Sequence, residues 1–367
     1  MLKSILTAFS ALLLSSCHPS HPSHSVPRHP ISQGISAPFA GFVDHTLLVG
    51  GGSNFPDVPA AQGGTKVYYQ DIYALTPQSS AASWVKVAQF PQPVAYGAMV
   101  ETPSGLVCIG GNNAHTSLST VFLISPKGKG QFAVENLPAL PVAIDNACAA
   151  LLDSTLYVTG GNQSSPSAPS AHGLYAYRLG ADSWQLLSHY PGPTRLQPVM
   201  GASQGQLYLF GGFQPASPQA PSVVSSSYLV YNLSTGQWSQ PHPLPLDADG
   251  QPRALVGSSL AVSGSSFLIA GGVNYSIFQS ALQQTAGPDY MHHQPEWYRF
   301  SKDLLLFNPA TADWHVVSQV AGFNRAGGIL LHHHDWLYMV CGELKPGIRT
   351  DEISVHPYAA LDYQPLR

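Results

Sequence analysis

Glu343, Lys345 and Arg349 stand close together in the string Cys341-Gly-Glu-Leu-Lys-Pro-Gly-Ile-Arg-Thr-Asp351, a carboxylate and two cations on a loop turned by Pro346 and Gly347. A carboxylate so held can take and return a proton. A guanidinium beside it can bind an anion through paired hydrogen bonds. The chain is sparing with such groups, since only 9% of its 367 residues are charged, against roughly 25% in ordinary globular proteins. A loop that concentrates an acid and two bases is therefore a candidate site for a small polar molecule.

The elements that must position this loop are repeats. An apolar run ending in Gly-Gly recurs as Leu47-Leu-Val-Gly-Gly-Gly52, Leu106-Val-Cys-Ile-Gly-Gly111, Leu156-Tyr-Val-Thr-Gly-Gly161, Leu207-Tyr-Leu-Phe-Gly-Gly212 and Phe267-Leu-Ile-Ala-Gly-Gly272. The sixth copy, Leu337-Tyr-Met-Val-Cys-Gly342, puts Cys341 where the others carry glycine and leads straight into Glu343. After each run comes a tyrosine-rich or aliphatic strand such as 71–75, 174–177 or 228–231, then an aromatic one marked by Trp84, Phe132, Trp184, Trp238 or Trp314. With 34 Gly, 32 Pro and 17 Tyr, the composition suits turns and half-buried strands. The pattern resembles the kelch repeat, which implies an all-β, six-bladed kelch-type β-propeller with four antiparallel strands per blade. Small-residue segments at 40–43, 97–100, 148–151 and 258–261 suit the crowded inner strands. The last blade should draw its outer strand from 26–30 or from 360–365, either of which closes the ring.

A net charge of −4 without any Lys/Arg run excludes nucleic acid as a partner. The N-terminus reads as an export signal over residues 1–16, with Lys3 before an apolar run too short to span a bilayer and small Ser15 and Ser16 at its end. Leu14-Ser-Ser-Cys17 resembles the bacterial lipobox, which makes Cys17 a lipidation site; an ordinary cleaved signal is the alternative. Residues 17–34, rich in Pro, His and Ser, form a tether, and 35–367 form the propeller as a single domain. The expected location is the periplasm, with membrane attachment if Cys17 is acylated. Cys108, Cys148 and Cys341 lie in apolar runs and are expected as buried free thiols.

In a four-stranded blade, loops leaving the second strand share one face with residues entering the first. Glu343, Lys345 and Arg349 should therefore meet Tyr96, Asn146, Arg195, Arg253 and Arg325, together with Asn54, Asn112, Asn162 and Asn274 after the Gly-Gly pairs. The run His332-His-His334 falls on the opposite face. Three successive side chains on extended backbone cannot all point one way, so it reads as a solvated turn, and no metal site is assigned. His292 and His293 lie in an insertion over 273–298 with Tyr290, Trp297 and Tyr298, either a lid over the site or a satellite packed on the ring.

Gly271-Gly-Val-Asn-Tyr-Ser-Ile-Phe278, Leu304-Leu-Leu-Phe-Asn-Pro309 up to Trp314, and the 341–351 string resemble consecutive blades of the N-acetylneuraminate epimerase (sialic acid mutarotase) family. In the familiar members the last string lies mid-chain, so the order here resembles the cyclically permuted branch; a closed ring tolerates such a cut. The resemblance implies a mutarotase that interconverts α and β anomers of sialic acid (N-acetylneuraminate) without a cofactor or metal. It implies Glu343 as acid/base and Arg349 as its partner, with Arg195 and Tyr96 on matching positions; added to these from the shared face, Lys345, Asn54, Asn274 and Arg325 complete the expected substrate contacts. A non-catalytic periplasmic glycan-binding propeller and a protein-interaction propeller are the other readings, because this fold serves many functions.

Overall fold

The computed structural model describes residues 26–77, 79, 82–128, 130–164, 172–218 and 220–366. The expected signal peptide and residues 17–25 of the expected tether, Cys17 included, lie outside these residues.

Six antiparallel sheets stand around a common axis. Their inner strands are Phe39–Val43, Ala98–Thr102, Ala143–Leu152, Val199–Ser203, Ser258–Ser263 and Ile329–His333, and each neighbours the next in cyclic order, with the sixth beside the first. Small residues allow this crowding: a Cβ on Gly201 would stand 2.7 Å from the ring of Phe267 in the next blade. Moving outward, each sheet adds the glycine-terminated strand and then the tyrosine-rich or aliphatic strand. Aromatic side chains fill the widening gaps between blades. Phe210 and Tyr228 of the fourth blade, for example, pack on Phe267, Phe307 and Trp314 of the fifth. Cys108, Cys148 and Cys341 are free and buried in this interior, as their apolar surroundings lead one to expect.

A ring of backbone hydrogen bonds runs around the axis at the end of the propeller that carries the Glu343 loop. One residue at the entry of each inner strand has a left-handed φ between 52° and 67°: Ala37, Tyr96, Gln197, Gly257 and Gly327 stand one or two positions before their strands, and Asn146 sits at a break in the pairing of Ala143–Leu152. That conformation turns each amide toward the carbonyl of the preceding blade. Tyr96 N donates to Ala37 O, Asn146 N to Tyr96 O, Gln197 N to Asn146 O, Gly257 N to Gln197 O, Gly327 N to Gly257 O, and Ala37 N closes the circle on Gly327 O at 2.7 Å. Glycine adopts this φ at little cost, whereas Tyr96, Asn146 and Gln197 do not, so their placement is maintained by the ring around them.

Closure differs from both expected forms. The C-terminal strand Gln364–Leu366 pairs with Asp313–Val317 and gives the fifth blade an additional outer strand, while the sixth blade keeps three, Ile329–His333, Trp336–Val340 and Ile353–Pro357. The tail is drawn there by Tyr358, Leu361 and Tyr363, which pack on the apolar seam between blades five and six. The segment 26–34, expected within the tether, is docked on the body. His29 is buried between Tyr73 and Trp84, Trp84 Nε1 donates to Pro27 O, and Arg28 pairs with Asp351 at 2.6 Å. It clasps the first blade to the sixth without forming a ladder.

Candidate active site

Glu343–Lys345 and Ile348–Arg349 form a short hairpin on the ring-bearing face, with Glu343 and Arg349 as register partners. Backbone bonds in both directions between Glu343 and Ala326 anchor it to the entry of the inner strand. Its turn requires Gly347, whose φ is +83° and whose Cβ, if present, would stand 2.5 Å from Cβ of Ala60 in the first blade. Gly347 N donates to Glu343 Oε1 at 2.7 Å, and Arg349 Nη1 lies 3.3 Å from the same oxygen. Burial raises the Glu343 carboxyl above the ordinary carboxylate range, opposed by Arg349, the Gly347 amide and Lys66. The result is a carboxylate poised for proton exchange beside a fixed cation.

Arg349 is nearly enclosed, its side chain 3% exposed, with its guanidinium carbon 5.1 Å from the ring centre of Phe55. Its Nε and Nη1 have no hydrogen-bond partner among the described residues. Buried donors of this kind are costly unless a ligand satisfies them, so the arrangement suits an incoming oxygen anion.

Opposite the hairpin, the second-to-third-strand loop of the first blade supplies Phe55 and Lys66. Lys66 Nζ donates to Tyr96 OH at 3.2 Å and stands 4.9 Å from the centre of that ring. A polar chain continues around the wall: Ser117 Oγ and Asn146 Nδ2 donate to buried Asp145, and Gln197 Nε2 donates to Asn146 Oδ1. Glu343, Arg349, Phe55, Lys66, Tyr96 and Asn146, with Met291 from the insertion, line a cavity of about 380 Å³, within the usual range for small-molecule sites. Below it, a more apolar cavity of about 450 Å³ runs between the inner strands and shares Tyr96, Asn146, Gln197 and Glu343 with the first.

Of the residues singled out from sequence, Glu343, Arg349, Tyr96, Asn112 and Asn146 meet in this cavity. Others face elsewhere. Arg195 is buried and donates to Gly211 O, Ser227 O and Ser227 Oγ. Arg325 is likewise buried and donates to the carbonyls of Met339, Cys341 and Glu352 and to Ser354 Oγ. Both arginines satisfy carbonyls within their own blades, and a buried guanidinium needs such acceptors. Arg253 pairs with Asp303 at 2.7 Å. Asn54 donates to Gly34 O and accepts from Tyr69 OH. Asn274 caps the helix Tyr275–Leu282 by accepting from Ile277 N, and Lys345 Nζ donates to His293 O at 2.6 Å, tying the insertion to the hairpin. His293 itself stacks on Trp297 at 3.9 Å.

Lys66, Phe55 and Gln197 were not singled out from sequence. The usable signal for the first two was topological. Their loop leaves the second strand of the first blade, as the Glu343 loop leaves that of the sixth, and it is longer than a simple turn.

A family model described as N-acetylneuraminate epimerase matches residues 21–132 and 137–363. The chain is 34% identical over 247 residues to the N-acetylneuraminate epimerase of Haemophilus influenzae (strain PittEE), covering 63% of this chain and 61% of that protein. Its identity to the N-acetylneuraminate epimerase of Yersinia enterocolitica serotype O:8 / biotype 1B is 30% over 234 residues, 59% of this chain and 56% of the relative. The aligned portion thus spans about three fifths of these curated relatives. The solved structure of YjhT superposes with a TM-score of 0.62 over 92% of this chain and 99% of that one, at 16% identity, a likeness of fold.

Proposed function

The chain belongs to the N-acetylneuraminate epimerase family, and from that premise we propose that it is an isomerase that interconverts the α and β anomers of sialic acid. The observation that carries this reading is the pairing of Glu343 with an Arg349 whose buried nitrogens lack hydrogen-bond partners among the described residues, inside a polar cavity at the propeller axis. Anomer exchange requires no change of oxidation state. The Glu343 carboxylate removes the proton of the anomeric hydroxyl, the bond between the anomeric carbon and the ring oxygen breaks, and the ring oxygen takes up a proton. The resulting ketone rotates, the ring oxygen attacks its other face, and the protons return. Arg349 binds the sugar carboxylate beside the reacting carbon or stabilises the oxyanion. Lys66 adds positive potential, while Tyr96, Asn146 and Gln197 offer hydrogen bonds to the sugar.

This reading includes export to the periplasm with processing at Cys17, which mass spectrometry of the mature N-terminus would check. The function itself is tested by NMR exchange spectroscopy of N-acetylneuraminate with the purified protein. Exchange between anomers faster than in buffer supports it. Saturable binding with exchange at the buffer rate would instead make the protein a glycan-binding propeller.

A further inference from the structure

The histidine run read from sequence as a solvated turn gains a partner in the folded chain. The inner strands of blades one and six end in two-residue turns on the face opposite the candidate active site, between Val43 and Thr46 and between His333 and Trp336. Because these blades are neighbours, His45 of the first turn meets His333 and His334. One ring nitrogen from each lies within 4.8 Å of the others. His332 is excluded by the alternation of the strand: its ring packs on Tyr358 and its Nδ1 lies 3.4 Å from Val262 O.

We propose that His45, His333 and His334 bind one late first-row transition-metal ion of the zinc(II) class and so staple the two blades at the closing seam of the ring. His334 Nε2 and His45 Nδ1 are 3.4 Å apart. That is close to the separation, about 3.4 Å, of two nitrogens bound at about 2.0–2.1 Å to a tetrahedral metal. His333 is the fixed member, its ring stacked on Phe42 at 3.9 Å, and its Nε2 is buried without a hydrogen-bond partner among the described residues. Reaching it takes a shift of roughly 1 Å in the two exposed turn residues, and the fourth position is left to water. Three imidazoles favour zinc, copper or nickel over calcium or magnesium.

The location gives the ion a role. The strands of blade one all come from 39–89 and those of blade six from 329–357, so among the described residues no ladder crosses this seam. Its backbone closures, Ala37 N to Gly327 O, Gly342 N to Ile35 O and His29 N to Asp351 O, all lie toward the active-site end. A metal at the opposite end would fasten the half of the seam that otherwise relies on side-chain packing.

The test uses the full chain stripped of metal with a chelator, titrated separately with Zn²⁺ and with Co²⁺ as a spectroscopic probe, against His45→Ala and His334→Asn. Asparagine suits the left-handed φ of 53° at position 334. The wild type should take up cobalt with tetrahedral d–d absorption, and a hundredfold excess of zinc over its Kd should raise Tm by roughly 4 °C. Each variant should keep the metal-free Tm of the wild type, lose about tenfold or more in affinity and lose the zinc-dependent rise. If the variants bind and are stabilised like the wild type, the ion sits elsewhere, for instance on the histidines near the N-terminus, and the proposal is overturned. It is equally overturned if the wild type gains no thermal stability from zinc.

Discussion

Glu343 and Arg349 face each other across a hairpin as register partners, 3.3 Å apart at Oε1 and Nη1, yet Nη1 makes no aligned hydrogen bond to the carboxylate. The amide of Gly347, and not the guanidinium, makes the short bond to Glu343. The carboxylate is thereby oriented from its own loop while the arginine keeps donor capacity for a ligand. A purely structural ion pair would be expected to use that capacity on its partner.

The pH dependence follows from the surroundings of Glu343. Its folded-state pKa is raised by burial and held back by Arg349, so the base form is lost as pH falls through a value above the ordinary Glu figure of about 4.3. The acid limb of kcat/KM should lie at that higher pH. Arg349→Met removes the group that lowers the pKa and should move the limb further up, besides raising KM. A limb that does not move in Arg349→Met would deny the two residues their coupling.

Arg349→Lys tests the guanidinium specifically. A point charge retains attraction for a carboxylate but not the forked donor pair or the stacking on Phe55. We expect KM for the sugar acid to rise by about tenfold or more, an effect comparable to one charge-assisted hydrogen bond, as steady-state kinetics would measure.

Arg325 and Arg195 should behave as stability residues. Removing Arg325 strands the carbonyls of Met339, Cys341 and Glu352. Arg325→Met should therefore cost about 3 kcal/mol or more in urea unfolding, with activity per folded molecule little changed at low temperature. A sharp loss of activity without loss of stability would return Arg325 to the substrate.

Lys345 should act on the insertion. Lys345→Met removes the bond to His293 O, freeing the segment that carries Met291 into the cavity wall. Hydrogen exchange over 291–298 should rise by about tenfold, consistent with the loss of one charge-assisted hydrogen bond, while the acid limb of the pH profile stays where it was.

The ring architecture was legible because it is written as a repeat. Gly-Gly after an apolar run marks the second strand of five blades, with Cys341-Gly342 in its place in the sixth, and small residues mark the first strands. Glu343 and Arg349 were legible for the complementary reason, as charges in a position where the repeat asks for none. Strand order even predicts that Arg195 and Arg325 enter the ring at the active-site face. It is silent on rotamers, and the competition for a buried guanidinium is won by nearby backbone carbonyls. Lys66 and His45 were illegible because each acts on a residue far away in sequence, Lys66 toward Glu343 and His45 beside His333 and His334. The closure of the last blade was open for a similar reason: two apolar segments could reach its edge, and packing of Tyr358, Leu361 and Tyr363 sends the C-terminal strand to blade five.

The most direct test of the central claim is the rate of anomer exchange of freshly released N-acetylneuraminate, followed by NMR, with wild-type protein and with Glu343→Ala at equal folded concentration. Acceleration over buffer is expected for the wild type and a loss of about 10²- to 10⁴-fold in the variant, the usual contribution of a general acid–base group. Exchange by Glu343→Ala at the wild-type rate would contradict it.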